Sequence, residues 1–191
     1  ISSLFQGKKG IIWVGHSNWE VSKVIQDDKI RIEKVIFGKN RLERNINTLF
    51  EDKARNVWIG TNGVGIVKIQ GATRYIITTS SGLVHNQINC ILEDKDGQIW
   101  IATSEGISVL KNPNQEVYNK SSFVNLTIEN GLQSNNIKGL TLLPNGETWI
   151  ATMDAGITLF TPAGRYPDLI SNKVQKNSFG TFQHLTQTEG I

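Results

Sequence analysis

Apolar residues along this chain recur in runs of four to eight positions, rich in Ile, Val, Thr and Trp and separated by polar stretches punctuated with Gly and Asn. Short, β-branched and aromatic runs bounded by turn residues read as strands. The sustained apolar spacing of three and four that marks an amphipathic helix is absent. The runs also repeat. Four of the five Trp stand in matching settings, GIIWVGH at Trp13, NVWIGT at Trp58, QIWIAT at Trp100 and ETWIAT at Trp149, at spacings of 45, 42 and 49 residues. Such a period belongs to propellers or solenoids.

The register extends well beyond the tryptophan. Twelve residues before each Trp stands an Ile (Ile1, Ile46, Ile88 and Ile137) that opens an apolar-rich run. Three residues before the Trp come Gly10, Gly97 and Gly146, whereas the second copy has Arg55 followed by Asn56. Gly and Asn tolerate the positive φ of a tight hairpin. Two residues after the Trp come Gly15, Gly60, Ala102 and Ala151. Side chains alternate along a strand, so each small residue shares a face with its Trp, which suggests interlocking with an adjacent sheet. The pattern resumes at Gly65-Ile66, Gly106-Ile107 and Gly156-Ile157, with Glu20-Val21 in the first copy. A further strand follows, for example from Thr73 or Ser121, and a Gly-Leu loop returns to the next Ile. Four short antiparallel strands per period make a propeller blade. The expected fold is all-β, a β-propeller of about four blades with approximate bounds 1–45, 46–87, 88–136 and 137–191.

Composition adds exclusions. The 191 residues are 38% hydrophobic and 19% charged, as in a folded domain. No apolar run approaches the roughly 18 residues of a membrane helix, and the N-terminus lacks a basic-then-apolar leader. Twenty Lys and Arg against 17 Asp and Glu leave a net charge of +3, so nucleic acid is not an expected partner. A local excess of bases from Lys29 to Arg44 reads as a solvated face, with an anionic-ligand patch as the alternative. Cys90, the lone cysteine, excludes an intramolecular disulfide and any thiolate-rich zinc site and reads as a core residue. His16, His85 and His184 lack metal-ligand spacing, and no GxSxG elbow is present. No cofactor, metal or catalytic residue is expected. The Glu-Asp pairs 51–52 and 93–94 recur at one register and read as turn structure. The stretch Thr161–Ser178, with Pro162, Arg165, Tyr166 and Pro167, reads as an irregular surface loop, with a contact to a neighbouring propeller or subunit as the alternative.

The string INCILEDKDGQIWIATSEGI from Ile88 to Ile107 resembles the repeat of the two-component regulator propeller family, and INTLFEDKARNVWIGTNGVGIVKI from Ile46 matches nearly as well. The copies around Trp149 and Trp13 diverge more, the latter with His16 in place of Thr. The resemblance implies an extracytoplasmic sensor region of a membrane-bound two-component histidine kinase, of the kind that hybrid sensors of gut Bacteroidetes use to control polysaccharide use. It implies a periplasmic location, an oligosaccharide ligand and a homodimeric full-length sensor. It also implies a seven-bladed ring, so that these four blades meet remaining blades of the same protein. Closure as a four-blade ring is the alternative. The chain shows no phosphoacceptor-helix pattern or ATP-binding glycine motif, and is not expected to be an enzyme itself.

In a propeller the loops between second and third strands share one face with the connections from one blade to the next, and loops carry function. That face collects the candidate ligand-binding residues: His16, Ser17, Asn18 and Trp19, the one Trp outside the repeat register; Asn62; His85 and Asn86; Glu105; Asn135; and Asp154. An exposed Trp beside Asn and His suits a sugar ring, which an aromatic face stacks against and polar groups hydrogen-bond. The structural alternative has Trp19 packed under its loop and His16 capping a neighbouring strand. Two other functions remain open. One is an enzyme resembling streptogramin lyases, whose repeat typically ends Trp-Phe-Thr-Glu, whereas all four copies here have Ile or Val after Trp. The other is a protein-binding scaffold.

Overall fold

The computed structural model describes residues 1–35, 45–163, 174–176 and 179–185. The readings on Lys39, Arg41, Arg44, Arg165, Tyr166 and Pro167 lie outside these. Four antiparallel sheets follow one another along the chain. The first holds β1 (Ser3–Gln6), β2 (Ile12–Gly15), β3 (Val21–Gln26) and β4 (Ile30–Val35). The second holds β5 (Ile46–Glu51), β6 (Val57–Thr61), β7 (Ile66–Gln70) and β8 (Thr73–Ile77). The third holds β9 (Ile88–Glu93), β10 (Ile99–Thr103), β11 (Gly106–Leu110) and β12 (Phe123–Leu126). In each, the strands lie side by side in chain order. The fourth holds β13 (Ile137–Leu142), β14 (Thr148–Thr152), β15 (Ile157–Pro162), β16 (Val174–Lys176) and β17 (Gly180–Leu185), in the order β13-β14-β15-β17-β16. Its outer edge thus carries one strand more than the repeat supplies, from the stretch read as an irregular loop.

The sheets are blades of a partial propeller. Their first strands pack in chain order, β1 on β5, β5 on β9 and β9 on β13, and no comparable packing joins β13 back to β1. Burial gives the same picture. Every residue of β6, β10 and β11 is buried, as strands covered on both faces must be. In β14 the face of Thr148 and Ile150 is buried, while Trp149 is half-buried and Ala151 exposed. On the first sheet Leu4, Ile30 and Ile32 are exposed. The arc is therefore open at both ends.

The repeated residues explain the packing. Each Trp heads a row across its blade: Phe5, Trp13 and Lys23; Phe50, Trp58, Lys68 and Tyr75; Leu92, Trp100, Val109 and Val124; Thr141, Trp149, Leu159 and Gln183. The small residue two places on leaves the gap for the Ile that opens the next blade. A Cβ on Gly60 would lie 2.6 Å from Ile88 Cγ2. The pairing slips by one residue at Asn47 and at Asn89. Their side chains reach the next blade, donating from Nδ2 to the carbonyls of Ile88 (2.9 Å) and Ile137 (2.6 Å).

The Glu-Asp pairs do serve turns, and they do more. Asp52, 1% exposed, accepts from Asn56 N (2.8 Å), Asn56 Nδ2 (2.7 Å) and Trp58 Nε1 (2.9 Å). Asp94 likewise accepts from Asp96 N, Gln98 N and Trp100 Nε1. The first copy has Gly7 at that register, and Trp13 Nε1 donates instead to Glu51 of the next blade (3.0 Å). The turn residue before each Trp strand is left-handed in all four copies, including Arg55 (φ 72), which takes that conformation rather than its neighbour Asn56. An ion pair from Arg55 Nε to Glu51 (2.9 Å) accompanies it.

Between the second and third blades Lys68 is fully buried. Its Nζ lies 5.2–5.8 Å from the ring centroids of Tyr75, Trp58 and Tyr118 and donates to Gln70 Oε1, Pro113 O and Tyr118 Oη. Cation–π attraction and hydrogen bonds compensate its lost hydration. Burial still lowers its pKa, opposed by the Asp52 charge. Pro113 and Tyr118 come from the β11–β12 connection, so the lysine ties one blade to its neighbour.

Candidate functional site

The loops between second and third strands and the connections between blades are hydrogen-bonded into one face. From the β6–β7 loop, Asn62 N donates to Asn45 O (3.0 Å), and Gly63 N and Gly65 N donate to Asn86 O (3.1 and 2.8 Å). Asn62 also forms an isolated bridge with Gln87. From the next two blades, Ser104 N donates to Gln87 O (3.3 Å) and Met153 N to Asn136 O (2.9 Å). Within each loop a repeated threonine is the staple. Thr61, Thr103 and Thr152 donate from Oγ1 to the carbonyls of Gly65, Gly106 and Gly156.

The expected residues divide into scaffold and free groups. Asn86 Oδ1 accepts from Thr79 N (2.9 Å), Asn135 Oδ1 from Ile128 N (2.8 Å) and His85 Nδ1 from Gln87 N (3.2 Å), so these side chains shape their own connections. His16, which replaces the staple threonine, has Nε2 3.0 Å from Ser22 Oγ on the adjacent strand, the capping arrangement given as the structural alternative. The side chains of Ser17, Asn18, Asn62, Glu105 and Asp154 are exposed and hold no hydrogen bond among the described residues of the loop scaffold. Trp19 is half-buried in the left-handed region (φ 67), and its Nε1 is buried without a partner. A non-glycine residue in that region is strained by about 1 kcal/mol, and strain of this kind gathers at ligand-contacting loops. The ten residues thus lie on four loops and two connections of successive blades.

Gln87 and Asn136 escaped the sequence reading although, like Asn45, their main chains join the loops. Each stands immediately before an Ile that opens a blade, and that shared register was the available signal. Among the described residues no three His, Cys, Asp or Glu side chains gather to hold a metal, and no helix is long and apolar enough to cross a membrane. Burial raises the thiol pKa of half-buried Cys90 and lowers the pKa of His184, whose Nδ1 is 3.0 Å from Thr158 Oγ1. In the basic stretch Arg31 pairs with Asp27 and Lys34 lies 3.8 Å from Glu20, which fits a solvated face.

The family model of the two component regulator propeller matches residues 41–63 and 82–105, the blade connections and Trp strands of the second and third copies. Two stretches of the chain thus match the two-component regulator propeller repeat. No curated protein matches the sequence. Among solved structures, the extracellular domain assigned to the hybrid two component system BT3049 of B. thetaiotaomicron aligns over 98% of this chain and 23% of its own length, at 22% identity and TM-score 0.73. The corresponding domain of BT4673 from the same organism aligns over 86% of this chain and 24% of its own, at 24% identity and TM-score 0.66. Virginiamycin B lyase from Staphylococcus aureus is similar at 15% identity and TM-score 0.60, over 95% of this chain and 62% of its own. These likenesses concern the fold. This chain spans about a quarter of the length of the two extracellular domains.

Proposed function

We propose that this chain is the ligand-reading part of the extracytoplasmic sensor region of a two-component system, and that it reads an oligosaccharide. The observation that carries the reading is the loop face, where a hydrogen-bonded scaffold leaves Ser17, Asn18, Asn62, Glu105 and Asp154 exposed around neighbouring blades. Small, neutral and acidic polar groups at such positions match the donor and acceptor pattern of sugar hydroxyls, and Trp19 supplies an aromatic ring. The repeats and the similar extracellular domains support the sensor context. In this reading the parent is a homodimeric histidine kinase of the inner membrane, the propeller is periplasmic, and ligand shifts the balance between two dimer arrangements.

A thermal-shift screen of the complete sensor region against glycan fragments tests the reading, since a ligand that binds the native state stabilises it. The expected result is a concentration-dependent rise in midpoint with one glycan class, lost in Trp19→Ala. No shift with any glycan overturns oligosaccharide sensing. Turnover of virginiamycin B would favour the lyase alternative.

A further inference from the structure

The connections that lead into the third and fourth blades share one register without a gap, each running from a glycine (Gly82, Gly131) to the residue before the opening Ile (Gln87, Asn136). Much of their hydrogen bonding is shared. Asn86 Oδ1 and Asn135 Oδ1 each accept a main-chain donor, and His85 Nδ1 and Ser134 Oγ accept from the N–H groups of Gln87 and Asn136. The connections part at two positions. Gln133 stands where the earlier one has Val84, and Asn136 where it has Gln87. Both are half-buried, yet Gln133 Oε1 and Asn136 Oδ1 are closed off from solvent and accept no hydrogen bond among the described residues. No side-chain atom of residues 82–87, all of them described, is left in that condition. Buried acceptors are ordinarily paired, because an unmet one loses its hydration without compensation. Two of them within four residues mark a place where donors come from outside the fold.

Two loops of the ligand-reading face flank this connection. Met153 N of the β14–β15 loop donates to Asn136 O (2.9 Å). On the other side Asn89 Nδ2 donates to Ile137 O (2.6 Å) and lies 3.4 Å from Ser104 Oγ of the β10–β11 loop. The next residue on each loop is an exposed carboxylate, Asp154 and Glu105, and Met153 itself is 67% exposed. Lys138, on β13 beside Ile137, is exposed as well. Two carboxylates against one ammonium leave a negative balance, which disfavours carboxylate and sulfate groups on a ligand. A neutral sugar unit suits both features. Its hydroxyls donate to the unmet oxygens, and its C–H face meets the exposed thioether.

We propose that the connection between the third and fourth blades is the anchoring subsite of the loop face, taken by a neutral, hydroxyl-rich sugar unit that donates to Gln133 Oε1 and Asn136 Oδ1, and that uronates and sulfated sugars are rejected there. The half-buried amides reach the sugar by a change of rotamer, which side chains at binding surfaces commonly undergo. The inference rests on the oligosaccharide reading and adds to it the class of sugar and the junction that holds it.

Gln133→Met and Asn136→Leu, made in the full-length protein encoded with this sequence, keep the side-chain shape without the amide. Replacing an unmet buried polar group by an apolar one of similar shape is neutral or stabilising, so without glycan each variant is expected to keep or raise the thermal midpoint. Two probe panels are then compared by thermal shift: neutral gluco-, manno-, galacto- and xylo-oligosaccharides, and oligogalacturonates with chondroitin and heparin fragments. The expected result is a shift with a member of the neutral panel and none with the acidic one, and isothermal titration in which each variant binds that neutral glycan at least about tenfold more weakly. A glycan-free midpoint lowered by both substitutions overturns the proposal, because the oxygens then hold the fold together. A neutral glycan bound equally well by both variants, or a shift confined to the acidic panel, overturns this subsite and leaves oligosaccharide sensing standing. No shift with either panel overturns the oligosaccharide reading and the subsite together.

Discussion

Asp52 ties the Trp strand to its hairpin, and its removal gives the sharpest prediction. The carboxylate is 1% exposed and accepts three donors at 2.7–2.9 Å, one of them the indole of the fully buried Trp58. Asp52→Ala leaves the indole and the Asn56 main-chain N–H without acceptors, while Asn56 Nδ2 retains Asn114 Oδ1 at 3.1 Å. Hydrogen bonds to charged groups contribute about 1.5–3 kcal/mol each. With one donor retaining a partner, the expected loss from the other two is about 3–6 kcal/mol. Asp52→Asn, which keeps one acceptor oxygen but turns an amine towards a donor, costs about half as much on the same basis. Urea unfolding followed by tryptophan fluorescence measures both. Trp58→Phe removes the indole donor, so a double-mutant cycle isolates its bond, with an expected coupling of at least about 1 kcal/mol. A loss below about 1 kcal/mol for Asp52→Ala, or no coupling to Trp58, refutes the reasoning and returns the Glu-Asp pair to a simple turn.

Other consequences are equally specific. Gly60→Ala places a Cβ 2.5 Å from Thr48 Cγ2 and 2.6 Å from Ile88 Cγ2, and calorimetry should show a loss of about 1–3 kcal/mol. Lys68→Ala strips Pro113 O, Gln70 and Tyr118 of their shared donor, and hydrogen exchange should accelerate across residues 111–119, whereas a distant surface lysine variant leaves it unchanged. Tyr118 is pushed by burial well above the usual tyrosine pKa. The unfolded chain therefore loses this proton first, and stability contributed by the neutral phenol falls as pH rises above about 10; Tyr118→Phe flattens that fall in pH-dependent unfolding. His184 has the opposite sign of linkage. Burial lowers its pKa, so its contribution is full above about pH 6.5 and is lost as pH falls towards the folded value. His184→Gln removes that part of the acid slope.

The blades were legible because inter-blade packing imposes a period. Ile46 must meet Gly15 and Ile88 must meet Gly60, so Ile, turn, Trp and small residue recur at constant offsets, which a single sequence displays. Other features obey no period. Lys68 is caged by Tyr118 and Pro113, which lie in an irregular connection of the next blade, and nothing local distinguishes it from the exposed lysines around it. The outer strand β16 comes from a stretch with no counterpart in the other copies. The loop face was legible as a location, less so residue by residue. Asn86 and Asn135 have the same chemistry as Asn18 and Asn62, yet the first two bind their own main chain and the latter two are exposed. Short polar side chains serve both purposes, and only the local turn decides which. Asp52 was visible at its register, but its indole bond depends on the hairpin folding the strand back beside it.

Isothermal titration of the complete sensor region with the glycan class that raises its midpoint tests most directly where function lies. The account predicts that Trp19→Ala and Asn62→Ala each weaken binding at least about tenfold, equivalent to about 1.4 kcal/mol, while Lys53→Ala and Lys95→Ala in the hairpins of the opposite face leave affinity unchanged. Binding that survives the loop-face substitutions and fails with the hairpin ones would contradict it.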